Sequence, residues 1–228
     1  VKFSKFFDAI FIHWGGSHST KNYTGGYETI KKEKVNNIDG MSGGELFSRD
    51  SSRKVSSEHR GVLNGKKINK AIEKKGYRTE LKDSSFSPLH FNSTVAPAGA
   101  DGATSVGVKF SDRTDTRKFT YNTEDGKYST NDWEKKVKFQ NLIILKAEST
   151  YITVPYKGST TTYLNYKWNS GSGKYISNGT VTDITWEVAD GKLVLKDAVG
   201  NTLSVNKGKS YIGFVSSNHN GKITCSAE

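Results

Sequence analysis

The sequence predicts an α+β fold, in which a partial α/β first domain is followed by an antiparallel all-β second domain. A short apolar run, AIFIHW at residues 9–14, precedes a glycine pair, which is typical of a strand covered on both faces. Residues 65–75 have the apolar spacing of an amphipathic helix. Beyond residue 103, turn signals recur, and the last four, between Asn178 and Gly208, are spaced by roughly ten residues, which is typical of an antiparallel meander.

The helix at residues 65–75 carries the clearest local signals of the first domain. Asn64 is a favourable N-cap, and Gly76 can end the helix in the left-handed conformation. A second, shorter helix is expected within residues 27–35. The apolar stripe of the longer helix consists of Ile68, Ala71 and Ile72.

Glycine-containing pairs mark the turns of the second domain. Asn-Gly and Asp-Gly suit two-residue hairpins because both central residues accept positive φ. The tail at residues 216–228 is polar and either frays or adds a last strand at Lys222. The turn pairs are Asp125–Gly126, Asn178–Gly179, Asp190–Gly191, Gly200–Asn201 and Lys207–Gly208.

These patterns divide the chain into an α/β domain at residues 1–92, a linker at 93–103 and an antiparallel β-domain at 104–228. The linker assignment follows from its composition, which is rich in alanine and glycine and contains Pro97.

The composition gives a basic chain with an aromatic core. Eleven tyrosines, eleven phenylalanines and four tryptophans offset an apolar share of 33%. The net charge of +11 attracts polyanions such as nucleic acid, acidic wall polymers and anionic lipid headgroups. With Cys225 as the sole cysteine, no intramolecular disulfide can form. No apolar stretch has the length needed to span a bilayer.

Several segments, in the same order, resemble the YerB-type bacterial lipoproteins. In the first half these are FDAIFIHWGGS at 7–17, NNIDGMSGGELFSRDSSRK at 36–54, a histidine at 59 and AIEKKGYR at 71–78. In the second half they are ATSVGVKFS at 103–111, TYNTEDGKY at 120–128 and GSGKYISNGTVTDITW at 171–186.

The resemblance implies an exported two-domain protein, held outside the cytoplasmic membrane by a lipidated N-terminus that precedes Val1. We therefore expect the family's upstream part of the first domain to be absent here. The biochemical role of the family is not established, so the resemblance supplies no catalytic residues. Residues 56–60 also depart from the Ala-Pro-His-Asn that the family often has beside its histidine.

His13 is the main candidate for chemistry, because ligands of open α/β sheets bind at the carboxyl ends of the strands. It could act as a general base, a metal ligand or an anion contact, or it could simply bond a loop carbonyl. If the long loop at 36–59 folds over this strand end, Asp39, Asp50 and His59 would surround it. These four residues are the candidate catalytic group, and Glu45 belongs to the same polar cluster.

Arg49, Arg53 and Trp14 are the candidate ligand-binding residues. The two guanidinium groups could clamp a phosphate or carboxylate, or they could pair with nearby acids such as Asp50. Neither a metal-ligand spacing nor a phosphate-loop motif is present, so no metal and no cofactor is expected. The aromatic residues Tyr163, Tyr166 and Trp168 could stack on sugars or bases, although alternation in a β-domain more often separates a core face from a solvent face.

We expect a non-catalytic extracytoplasmic module that presents its basic surface to an anionic envelope polymer, a membrane surface or a protein partner. An envelope hydrolase or transferase acting on a wall polymer through a His/Asp site is the first alternative. Nucleic-acid binding, which rests on charge alone, is the second and conflicts with an extracytoplasmic location.

Overall fold

The computed structural model shows a mostly β protein with several antiparallel sheets. It describes residues 1–42, 47–83, 87–130, 137–156 and 158–227. Contacts divide the chain into two compact units, Val1–Ser87 and Pro88–Glu228. None of the helices in the described ranges has the length and apolar character needed to cross a bilayer.

In its described residues, the first unit contains three α-helices, a short 3-10 helix at Ser57–Arg60 and four short strands. Its elements in chain order are α1 Lys2–Phe6, β1 Phe11–His13, α2 Gly26–Lys32, β2 Asn37–Asp39, β3 Phe47–Arg49, β4 Gly61–Leu63 and α3 Gly65–Lys75. Strands β1 and β2 pair in parallel, with His13 opposite Asp39, and β3 and β4 form an antiparallel hairpin.

All three α-helices of this unit end in the same way. The residue after the helix end, in the left-handed conformation, donates its amide to the carbonyl three residues earlier, and the next residue donates to the carbonyl five residues earlier. The left-handed residues are Asp8 after α1, Lys34 after α2 and Gly76 after α3, with φ of 48°, 50° and 61°.

Helix α3 confirms the local prediction. It spans Gly65–Lys75, and the side chain of Asn64 accepts a hydrogen bond from the Lys66 amide at 2.9 Å. Gly76 is left-handed, and the Tyr77 amide donates to the Ile72 carbonyl at 3.1 Å. These are interactions between near neighbours, which is why the sequence alone predicts them.

The second unit is built from fifteen strands in the described ranges. They are β5 His90–Phe91, β6 Asp101–Gly102, β7 Ser105–Lys109, β8 Thr116–Asn122, β9 Lys127–Ser129, β10 Lys138–Phe139, β11 Asn141–Ala147, β12 Ser149–Tyr156, β13 Ser159–Tyr166, β14 Ser170–Ser177, β15 Thr180–Ala189, β16 Lys192–Lys196, β17 Ser204–Val205, β18 Ser210–Ser216 and β19 Lys222–Ser226.

Two sheets hold most of these strands. One has the order β10-β9-β8-β7-β19, and the other has β16-β15-β14-β11-β18 with β6 added against β15. Pairing is antiparallel except between β11 and β18 and between β17 and β5. The parallel β11–β18 pair was not predicted, because nothing local signals that residues 210–216 return beside 141–147.

The core of the second unit lies around β11, whose Leu142, Ile143, Ile144 and Leu145 are fully buried. An uninterrupted apolar run of this kind is covered on both faces. Trp186 is also buried and donates its indole N–H to the Lys146 carbonyl at 3.0 Å.

The predicted hairpin turns are confirmed at two positions. Asn178–Gly179 joins β14 to β15 and Asp190–Gly191 joins β15 to β16, and all four residues have positive φ. A mirror-image turn requires this conformation at both central residues. Of the two outcomes considered for the tail, the structure shows the strand, because β19 pairs with β7.

The segment predicted as a linker, residues 93–103, lies within the second unit. The Ala98 amide donates to the Thr180 hydroxyl at 2.7 Å, and Ala103 is fully buried. Asn206 also bonds the backbone of Ala96. The alanine- and glycine-rich composition of residues 93–103 therefore serves close packing. The boundary between the two units lies earlier in the chain, after Ser87.

Candidate functional site

His13 and Asp39 occupy the carboxyl ends of the two parallel strands. They are direct partners in the β1–β2 register, and the His13 Nδ1 lies 3.8 Å from the Asp39 Oδ1. The prediction that His13 stands at the carboxyl end of a strand, next to a glycine turn, matches this position. Parallel pairing brings Asp39 beside it from 26 residues further along the chain.

The imidazole of His13 is enclosed, and each of its nitrogens has an acceptor oxygen within hydrogen-bond distance. Its Nδ1 lies 2.7 Å from the Gly15 carbonyl oxygen, and its Nε2 lies 3.2 Å from the Asn37 Oδ1. The ring stacks on Phe11 with a centroid separation of 4.8 Å. Only 8% of the side chain is exposed, so neither nitrogen is presented freely to solvent.

Asp39 organises the turn that follows β1. Its Oδ1 accepts hydrogen bonds from the Gly15 amide at 2.8 Å and from the Met41 amide at 2.9 Å, and its Oδ2 accepts one from the Tyr27 hydroxyl at 3.1 Å. Burial raises the pKa of Asp39, but these donors and His13 outweigh it and hold the pKa below its ordinary value. Burial, and then the same carboxylate, raise the pKa of Tyr27.

This arrangement suits positioning better than proton transfer. The Asn37 side-chain amide donates to the Val35 carbonyl at 3.2 Å, which turns its oxygen toward His13. A general base needs a nitrogen within hydrogen-bond reach of the substrate proton. His13 meets that condition only after giving up its contact with Gly15 or Asn37.

The β3–β4 hairpin packs on Trp14, directly after β1. The indole meets Phe47 edge-to-face at 4.6 Å, and the guanidinium carbon of Arg49 lies 4.9 Å from the indole centroid. A Cβ on Gly61 would come within 3.2 Å of the same ring, so the hairpin backbone also lies against it. Trp14 and Arg49, two of the predicted ligand-binding residues, are thus brought together.

The remaining predicted residues belong to the tip of this hairpin. Asp50 accepts hydrogen bonds from the Ser52 amide and hydroxyl, at 2.9 and 2.6 Å, and Arg53 donates to the His59 carbonyl at 2.8 Å. Neither Asp50 nor His59 is among the partners of His13 in the described part of the chain. Glu45 lies outside the described residues.

The sequence interpretation missed two members of the His13 cluster, Asn37 and Tyr27. A signal for Asn37 existed, because it precedes Asp39 by two residues and alternate residues of a strand share a face. Tyr27 had no comparable signal, since only the fold places the start of α2 beside the end of β2. In the described ranges, no group of three or more histidine, cysteine or acidic side chains could hold a metal ion.

A separate basic surface lies on α3. Lys66, Lys67, Lys70 and Lys74 are exposed on the side of the helix away from its apolar stripe, and none forms an ion pair with a described residue. Lys70 lies four residues from Lys66 and from Lys74 and three from Lys67, which places its ammonium group beside theirs on the helix surface. We call these four residues the lysine stripe.

One match to a known protein family lies within the second unit. Residues 106–212 match the model of the C-terminal domain of a protein of unknown function, DUF3048. The chain is also similar to a crystal structure of the YerB protein from Bacillus subtilis, with a TM-score of 0.72 and 22% sequence identity. These matches support a YerB-like family.

The YerB-like fold extends over almost the whole chain. The structural match covers 98% of this chain and 73% of the Bacillus subtilis chain. At this level of identity the likeness shows the fold alone. No curated protein matches the sequence.

Proposed function

We propose that this protein is a non-catalytic module of the bacterial cell envelope that binds an anionic envelope polymer through its basic surface. The lysine stripe of α3 is the observation that carries this proposal. The resemblance to YerB-type lipoproteins adds an extracytoplasmic location and a lipidated N-terminal anchor in the full-length protein. It also adds the finer fold description, a partial α/β domain followed by an antiparallel β-domain.

The charges of the stripe work against the helix that carries them. Lys66 and Lys70, and Lys70 and Lys74, are like charges four residues apart, and each such pair destabilises a helix by about 0.2–0.5 kcal/mol. Lys66 and Lys67 also lie in the first turn, where the helix dipole disfavours cations. Lys74 lies in the last turn and has a structural explanation, but Lys66, Lys67 and Lys70 do not, so a bound polyanion is the partner that offsets their repulsion.

The distribution of charge between the two units also favours the first unit, which contains α3, as the site of polyanion binding. Residues 1–87 contain 17 lysines and arginines against 10 aspartates and glutamates, whereas residues 88–228 contain 17 against 13. The shorter unit therefore carries the larger surplus, and a polyanion is attracted to it first.

A pull-down on purified bacterial cell wall across a salt series tests the proposal. The stripe variant replaces Lys66, Lys67, Lys70 and Lys74 with glutamine, and the matched control makes the same change at four exposed lysines of the second unit. The control lysines are Lys118, Lys207, Lys209 and Lys222. We expect the stripe variant to elute at much lower salt than the control.

If both variants lost cell-wall retention equally, net charge alone would explain the binding, and the lysine stripe would have no specific role. Retention of the wild type no better than that of a neutral protein would remove the function itself. Vesicles with anionic lipid, and duplex DNA, form separate arms. If the protein were retained more strongly on anionic vesicles or on DNA than on cell wall, the ligand would be a membrane surface or nucleic acid and not a wall polymer.

The second candidate function is an envelope hydrolase or transferase that uses His13. The observation in its favour is the 3.8 Å approach of His13 to Asp39 at the carboxyl edge of the parallel strands. It requires release of product from a wall polymer by the wild type and no release by His13→Ala. Absence of product from the wild type would exclude it for that polymer.

A further inference from the structure

A cavity of about 250 Å³ opens at the amino edge of the β1–β2 pair, opposite the His13 cluster. The backbone enters both strands along its wall, through residues 9–10 and 35–36. Six charged residues line it: Lys5, Asp8, Glu33, Lys34, Arg78 and Lys82. Sequence inspection gave no indication of this site, because its walls come from three separate helix ends.

The two carboxylates of the cavity are fully engaged by cations and amides. Glu33 accepts from Lys2 and Lys5, each at 2.6 Å, and Asp8 accepts from the Arg78 guanidinium and from the Lys82 amide. Neither carboxylate has an oxygen left without a donor. The wall then retains two ammonium groups, on Lys34 and Lys82, that form no ion pair with a described residue.

Lys34 occupies a position that normally belongs to glycine. It is the left-handed residue at the end of α2, the counterpart of Gly76 at the end of α3. The other non-glycine residues with positive φ are Asp8, Asn178, Asp190 and Asn220, and aspartate and asparagine tolerate this conformation. Among the described residues, Lys34 is thus the one long side chain kept in a strained conformation.

Helix stability does not require a lysine at this position. Cations near a helix carboxyl end are favourable, but Lys31 and Lys32 already supply them from the last turn without backbone strain. Ile30 and Val35, which are both buried, provide the apolar contact of the helix end. Strain held at one residue beside a cavity is a feature of ligand sites.

We propose that this cavity binds the phosphate group of a small phosphate ester, with Lys34 and Lys82 as its direct contacts. Four cations against two carboxylates leave a surplus of two positive charges on the wall, which matches a phosphate carrying close to two negative charges. The cavity is much larger than one water, whose share of liquid volume is about 30 Å³, so the organic part of the ester has room beside the phosphate.

Titration of the ¹⁵N-labelled chain with glycerol phosphate, and separately with inorganic phosphate, tests this proposal by NMR. We expect saturable shifts of the amides of Lys34 and Asn36 with both probes, and tighter binding of the ester. Lys34→Gln with Lys82→Gln should weaken binding by about tenfold or more. The matched control, Lys31→Gln with Lys32→Gln, removes the same charge from α2 without touching the cavity wall and should bind as the wild type does.

Lys34→Gly separates binding from folding. Glycine relieves the left-handed strain, so this variant should melt at a higher temperature than the wild type while it loses affinity for the ester. Equal weakening in the Lys31/Lys32 control, unchanged affinity in Lys34→Gly, or shifts that do not saturate would each overturn the proposal. Tighter binding of inorganic phosphate than of the ester would overturn the assignment of an ester.

The proposal is independent of polymer binding by α3. The stripe variant leaves every residue of the cavity unchanged and should titrate with glycerol phosphate as the wild type does. Loss of cell-wall retention with intact titration would therefore count against the polymer function alone, and the reverse result would count against the cavity alone.

Discussion

Asn206 and Ala96 are separated by 110 residues and joined by two hydrogen bonds. The Ala96 amide donates to the Asn206 Oδ1 at 2.9 Å, and the Asn206 Nδ2 donates to the Ala96 carbonyl at 2.7 Å. Asn206 is fully buried, and its Nδ2 also donates to the Ser177 hydroxyl at 2.9 Å. One side chain thus fixes the segment at 93–103 to the second unit.

We predict that Asn206→Ala lowers the free energy of unfolding of the second unit by about 2–4 kcal/mol. The change leaves the backbone groups of Ala96 without their partner in a partly buried place, at about 1–3 kcal/mol for each group. Urea unfolding measures the loss, and limited proteolysis should show new cleavage within residues 93–99. Asn165→Ala, at an exposed position, is the control and should change the stability by less than about 0.5 kcal/mol.

The left-handed helix ends give a pair of opposite predictions. Lys34→Gly should raise the free energy of unfolding by about 0.5–1 kcal/mol, because glycine adopts φ near 50° without a clash. Gly76→Ala should lower it by about 1 kcal/mol, because alanine does not. Chemical denaturation of both variants measures these changes in the free energy of unfolding. A loss of stability in Lys34→Gly would contradict the inference that Lys34 is held in a strained conformation.

Glu33 should make the first unit sensitive to acid. Hydrogen bonds from Lys2 and then from Lys5 lower the pKa of Glu33 from its ordinary value of 4.5 to about 2. Because the folded pKa is the lower one, the unfolded chain binds the proton first as the pH falls. The stabilisation is therefore complete above pH 4.5 and is lost progressively between that pH and about 2.

The measurement is the free energy of unfolding of Glu33→Gln and of wild type across that pH range. The variant should be less stable near neutral pH and should show a flatter decline in acid. Glu73→Gln, which removes an exposed glutamate with no ion pair among described residues, should retain the wild-type slope. Identical slopes for Glu33→Gln and wild type would show that the Lys2 and Lys5 contacts do not operate in solution.

Asp39 and Asp50, both predicted as catalytic candidates, should differ in their effect on folding. Asp39→Ala removes the acceptor of three hydrogen bonds in a largely buried place, and we expect a loss of about 2–3 kcal/mol. Asp50→Ala removes an exposed turn contact with Ser52 and should lower the stability much less than Asp39→Ala does. Thermal unfolding of the two variants compares them, and equal losses would contradict the structural role of Asp39.

Local signals made part of this structure predictable. The limits of α3, its Asn64 cap and its Gly76 end all depend on residues within a few positions of one another. The same holds for the Asn178–Gly179 and Asp190–Gly191 turns. In each case the backbone conformation that the residue prefers is also the one that the fold uses, so no distant contact had to be known.

Of the candidate site, the sequence predicted only the position of His13. His13 stands where the apolar run and the glycine pair placed it, and Asp39 joins it through parallel pairing. The prediction that Asp50 and His59 belong to the site depends on a polar loop that folds over the strand end. The loop does contact that end, but through Phe47 and Arg49 packing on Trp14. Residue type alone did not distinguish these contacts.

The sequence by itself determined the strand-ending histidine, the capped helix, the hairpin turns and the positive charge, because each depends on composition or on neighbours in the chain. Only the tertiary structure decided that β18 returns in parallel beside β11, that residues 93–103 pack against the second unit, and that three helix ends enclose a basic cavity. Those features join residues tens of positions apart, and their free energy comes from burial and hydrogen bonds that exist only once the chain has folded.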